Sequence, residues 1–126
     1  PISNMRKTQR KVLEAFTVAK VEAGDTISVI LTDPRATNGK VRAQLGYTLA
    51  DSAAIPQGLK EGRIERRPVL AAQVRAAVLL APSKAYQALS NTLEPQGKTI
   101  TMPTVERYRP AGQASRIGTF TLEMNR

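Results

Sequence analysis

The chain has 126 residues, no cysteine and no histidine, and 19 Lys plus Arg against 10 Asp plus Glu, giving a formal charge of +9. That length supports one modest core and not two. The missing cysteines exclude a disulfide framework, a thiolate nucleophile and Cys-ligated zinc, and the missing histidines remove the usual neutral-pH base and the commonest metal ligand. The cationic excess favours a polyanionic partner, nucleic acid first.

Residues 3–17 carry the helical period. Met5, Val12 and Phe16 project to one side, with Leu13 and Ala15 at its edges. Arg6, Lys7, Arg10 and Lys11 fall on the opposite side, interrupted by Glu14, which is placed to pair with Arg10. Ser3 or Asn4 supplies an N-cap. Four cations near a helix N-terminus oppose the helix dipole, a cost that an anion relieves. The opening segment lacks the apolar core of a signal peptide, and no apolar run nears the ~18 residues of a membrane span.

From residue 17 to 49 the period changes to two, and a three-stranded antiparallel meander is expected. Val18 and Val21 lead into a turn at Ala23-Gly24-Asp25, and Thr26 to Leu31 returns with Ile27, Val29 and Leu31 on one face. Asp33-Pro34-Arg35 fixes a turn corner, and Asn38-Gly39 supplies the positive-φ pair of a tight reversal. Beyond it Val41, Ala43, Leu45, Tyr47 and Leu49 face one way, with Arg42 and Gln44 on the other side. Residues 50–62 read as a loop, followed by a basic cluster of Arg63, Arg66 and Arg67 diluted by Glu61 and Glu65.

Residues 69–81 fit two periods. As a helix they place Leu70, Val74, Val78 and Ala81 together. As a strand they place Leu70, Ala72, Val74, Ala76, Val78 and Leu80 on one face with Gln73 and Arg75 on the other, and Pro82 closing the run favours the strand. Residues 83–94 form a short helix, with Ala85, Leu89 and Leu93 at four-residue spacing and Pro95 with Gly97 closing it. Residues 98–125 form a last hairpin turning at Pro110-Ala111-Gly112-Gln113. In its second strand Gly118, Phe120, Leu122 and Met124 alternate with Ile117, Thr119, Thr121 and Glu123. The fold class is therefore α+β: mainly antiparallel sheet, an N-terminal amphipathic helix and one further short helix, in a single domain.

Catalytic motifs are missing: no serine–histidine pairing, no phosphate-binding glycine loop and no dinucleotide fingerprint. Most carboxylates neighbour a cation, Glu106 beside Arg107 among them, and Asp25, Asp33 and Asp51 sit at turns, where backbone geometry accounts for Asp. No enzyme activity, cofactor, metal or small-molecule substrate is expected. The candidate phosphate contacts are Arg6, Lys7, Arg10, Lys11, Arg42, Arg66, Arg67, Arg107, Arg109 and Arg116, with Tyr108 either stacking on a base or covering the sheet edge.

The pieces Leu13-Glu14, Gly24, Val29, Leu31, Pro34-Arg35, Thr37-Asn38-Gly39, Val41 and Leu45, with Ala54-Ile55-Pro56, Gln113-Ala114 and Thr119-Phe120, resemble coat proteins of small single-stranded RNA bacteriophages, the levivirus type. The resemblance implies a shell subunit in a virion whose sheet forms a dimer, whose dimers close into a particle, and whose basic face holds genomic RNA. Such coats end in two dimer-locking helices, whereas this chain ends on a strand and carries its amphipathic helix in front. No RNA-contact residue carries over. The expectation from another class is an accessory or regulatory protein that lays its basic N-terminal helix on DNA or RNA, acting in the cytoplasm.

Overall fold

A computed structural model describes residues 2–32, 42–50, 53–77, 80–110 and 117–126, with the side chains of 2–5 excepted. The fold is α+β, with two α-helices and a five-stranded antiparallel sheet among the described residues. The elements are α1 (Ile2–Ala19), β1 (Thr26–Ile30), β2 (Ala43–Tyr47), β3 (Val69–Ala77), α2 (Ala81–Leu93), β4 (Thr104–Pro110) and β5 (Ile117–Asn125). The strands lie in the order β2-β1-β4-β5-β3.

The N-terminal helix runs beyond residue 17, and the expected meander loses its first strand. Lys20 takes a left-handed φ of 57°, its N–H donates to Thr17 O, and the Val21 N–H reaches back to Phe16 O. This pair of bonds is the Schellman closure, here with lysine at the position glycine usually fills. Val18, expected in a strand, is a helical residue 84% exposed. Two strands remain, paired from Thr26↔Tyr47 to Ile30↔Ala43, and the ladder continues through Gly24 N–H to Thr48 O and Thr48 N–H to Asp25 O. So residues 24–25 extend this pairing and do not turn a hairpin. A Cβ on Gly24 would collide with the Thr48 hydroxyl and carbonyl, which explains the glycine. The turns expected at 33–35 and 38–39 lie outside the described residues.

The inward face of β1 also differs from expectation. Ile30 is 1% exposed and Leu31 is 41% exposed, so the Ile27, Val29 and Leu31 alternation does not mark the main core. β1 lies between two strands and has partly buried residues on both faces, which erases a clean period of two.

Residues 69–77 resolve as a strand. Pro82 occupies the first turn of α2, where its missing N–H costs nothing, so the residue expected to end the strand instead opens the helix. α2 passes into a 3₁₀ turn at Glu94–Gln96 and stops at Gly97, φ 68°.

α2 brings Ala81, Ala85, Tyr86, Leu89 and Leu93 against Phe120, Leu122 and Met124 of β5, with Leu70, Ala72, Val74 and Ala76 of β3 packed around them. Alanines on both partners let helix and sheet approach closely. The alternation expected in β5 is borne out: Gly118, Phe120, Leu122 and Met124 are all buried, and the residues between them are more open.

Beneath α2 lies a short polar chain. Thr104 is fully buried, its hydroxyl 2.8 Å from the Tyr86 hydroxyl, which donates to Glu106 Oε2 at 2.9 Å. Burial raises the Glu106 pKa above the ordinary 4.5, and the Tyr86 hydrogen bond offsets only part of that rise. The folded state thus holds this proton more tightly than the unfolded chain. The resulting stabilisation is complete below the ordinary value and is lost as pH climbs through the raised one. Glu106→Gln, which keeps an acceptor for Tyr86 and removes the charge, is expected to raise the melting temperature at pH 7–8 and to gain nothing at pH 4. An equal gain at both pH values in thermal melts would refute this account.

Candidate nucleic-acid interface

Antiparallel pairing puts alternate residues on opposite faces, so one sheet face is assigned to α2 and the other is fixed by the same register. On that second face Gln73 and Arg75 of β3 stand beside Thr121 and Thr119 of β5, which stand beside Arg107 and Arg109 of β4. This is a band of amide, hydroxyl and guanidinium groups, with the Gln73 Nε2 donating to Thr121 Oγ1 at 3.4 Å.

Two carboxylates hold part of the band. Glu123, 13% exposed in its side chain, takes the Arg107 Nε at 2.8 Å and the Arg67 Nη1 at 3.5 Å, while Arg67 Nε donates to Asn125 Oδ1 at 2.9 Å. These contacts tie the chain entering β3 down onto β5. At the other end Asp25 accepts from Arg109 Nε at 3.0 Å and Nη2 at 2.9 Å. Those hydrogen bonds, then the charge of Asp25, raise the Arg109 pKa further. Paired guanidiniums of this kind keep free N–H groups but less net field than unpaired ones.

The helix supplies the unpaired charge. Arg6, Lys7, Arg10 and Lys11 are exposed along α1, and no ion pair among the described residues holds them; the expected Glu14–Arg10 pair is not formed. α1 is anchored through buried Val12 and Phe16, an edge-on Phe16–Tyr47 ring contact of 5.6 Å and a Gln9 Nε2 bond to Gly46 O at 2.9 Å. Val12 and Phe16 also line a hollow floored by Ile27, Val29 and Val105 and walled by Pro56 and Leu59. The apolar side of α1 is thereby engaged, which leaves its cationic side outward.

The remaining candidates divide. Arg42 and Arg66 are exposed, and Arg116 lies outside the described residues. Tyr108 does not share a face with Arg107 and Arg109. Its side chain packs with the core under α2, and its ring closes over Gly118, where a Cβ would sit 2.6 Å from the ring. Strand alternation between the two arginines turns it to the α2 face, where it is partly buried and away from the guanidinium band. Glu106 likewise turns away from Arg107 toward Tyr86. Sequence reasoning does not single out Gln73, Arg75, Thr119 and Thr121 as contacts. Their alternation along the two strands is the available signal, but only the pairing of β3 with β5 joins them into one surface.

Among the described residues there is no group of three or more Asp and Glu placed to hold a metal ion, and no helix is long and apolar enough to cross a membrane. Comparison with protein families, curated proteins and solved structures finds no match to this chain.

Proposed function

We propose that the chain is a non-enzymatic coat subunit that self-assembles through dimers into a closed particle and holds RNA by phosphate neutralisation. The observation that carries this reading is the division of the sheet. One face is consumed by the α2 core, and the other offers Gln73, Arg75, Thr119, Thr121, Arg107 and Arg109, with the exposed cations of α1 adding unpaired charge. Hydroxyls and amides at sheet spacing contact phosphate and sugar without reading sequence, as packaging a whole genome requires. The resemblance to levivirus-type coats, the +9 charge and the lack of histidine and cysteine agree with it.

The accessory or regulatory reading rests on α1 alone and needs no particle. Size-exclusion chromatography with light scattering, recorded at 260 and 280 nm on freshly expressed protein, separates the two. A megadalton peak rich in 260 nm absorbance is expected. A monomer or dimer peak without nucleic acid would overturn the coat reading.

A further inference from the structure

We propose that the hollow enclosed by α1, residues 55–64 and the sheet binds one aliphatic carboxylate, a fatty-acid anion with its tail toward α1 and its head at Arg67 and Arg107. The inference goes beyond the proposed function and does not rest on it.

The cavity measures about 910 Å³, near the upper end of the roughly 300–1,000 Å³ of small-molecule sites. Residues 55–64 lie over β1 and β4 on the sheet face opposite α2, and a segment laid over a sheet normally buries the side chains between the two. Here it does not. Ile27 and Val29 on the floor and Leu59 and Ile64 in the segment above stay half-buried, and Ile55 is 44% exposed. Apolar groups therefore face an unfilled space from two sides, and an apolar guest would remove them from water.

The lining selects the shape of that guest. Its floor and cover are branched aliphatic side chains, while its two aromatic rings, Phe16 and Tyr47, are already engaged edge-on with each other. A flexible methylene chain fits such walls better than a planar ring, which needs a stacking partner.

The strand order gives the hollow a direction. At one end stands α1, against β2; at the other, past β1, are Arg107 of β4 and Arg67 and Asn125 beside β5. Three strand spacings, ~14 Å, separate the apolar end from the cationic one. Arg107 uses its Nε on Glu123, and Arg67 uses Nε on Asn125 Oδ1 and Nη1 on Glu123. A guanidinium carries five N–H donors, so both arginines keep donors in the fork that matches a carboxylate. Lys60 and Arg63 also line the hollow, with Glu61 3.8 Å from the Arg63 Nη2. Four cations thus meet two carboxylates, Glu61 and Glu123, and the surplus favours an anionic head.

Isothermal titration calorimetry of the whole chain with octanoate, decanoate and laurate, each below its micelle concentration, is the test. One equivalent is expected to bind, and each added CH₂ should tighten binding by about fourfold, the equivalent of a fully buried methylene. Dodecylammonium, with the tail of laurate and the opposite charge, should bind at least about tenfold more weakly. Val29→Trp, which fills the floor, is expected to abolish laurate binding with an unchanged far-UV spectrum. Leu59→Glu, outside the sheet, repeats the measurement should the tryptophan disturb folding, and should cost at least about tenfold in affinity.

An affinity indifferent to chain length, dodecylammonium binding as tightly as laurate, or full laurate binding in both variants would overturn the site. Co-sedimentation with phosphatidylglycerol vesicles by a chain that takes up no monomeric laurate would overturn it too, in favour of a membrane-facing surface. RNA-filled particles from a chain that ignores laurate would sink the site and leave the coat reading standing. Laurate binding by a chain that forms no particle would do the reverse.

Discussion

Replacing Leu122 by alanine is expected to lower the unfolding free energy by about 3 kcal/mol, within the roughly 2–5 kcal/mol range for buried leucine truncations. Leu122 is fully buried at the centre of β5, the strand that joins β4 to β3 and carries the seat of α2. Its neighbours cannot readily collapse into the space. They are held by two strand ladders and by a helix whose contact residues Ala81 and Ala85 already sit at zero exposure. Urea denaturation followed by far-UV circular dichroism measures the loss. Val18→Ala, at an 84% exposed helical site, is the companion control and should stay within about 0.5 kcal/mol of the parent. A Leu122→Ala cost below about 1 kcal/mol would mean that β5 is not the centre of the core.

The second large effect concerns binding. Changing Arg6, Lys7, Arg10 and Lys11 together to glutamine is expected to weaken single-stranded RNA binding by a hundredfold or so at low salt. The slope of log affinity against log salt should fall by about 3, at roughly 0.7 for each phosphate no longer neutralised. The fold tolerates the change: glutamine matches lysine and arginine in helix propensity, and removing cations from the first turns relieves their conflict with the helix dipole. Arg107→Gln should have a smaller effect, because Glu123 already engages that guanidinium at 2.8 Å. Fluorescence anisotropy with a labelled oligonucleotide across a salt series is the measurement. An unchanged slope in the fourfold variant would remove α1 from the interface and leave the sheet band as the whole of it.

Both expectations depend on sites of unequal visibility in the sequence. The cationic side of α1 is legible, because four charges on one side of a helix need only the 3.6-residue period to be seen. The sheet band is half legible. Gln73 and Arg75 alternate with an apolar face, and so do Thr119 and Thr121, yet nothing local says that the two strands lie side by side. Tyr108 between two arginines has the local pattern of a stacking residue. Strand alternation around it, and the close approach at Gly118, turn it instead to the α2 face, where it packs partly buried against the core.

By itself the sequence determined the α+β class, both helices, the alternation of β5 and the absence of histidine and cysteine chemistry, because periodicity, proline, glycine and composition act over a few residues. Tertiary structure decided what depends on distant partners. It decided that β1 pairs with β4 across nearly eighty residues, that β3 crosses to the far edge of the sheet, and that Glu123 and Asp25 are the carboxylates facing the arginines. It also carried α1 through Val18, where the local pattern suggested a strand, since burying Val12 and Phe16 against the sheet and closing the helix at Lys20 outweigh the β preference of a single valine. Local propensities are worth tenths of a kcal/mol per residue, and burial of one side chain is worth about 2 kcal/mol, so wherever the two conflicted the packing prevailed.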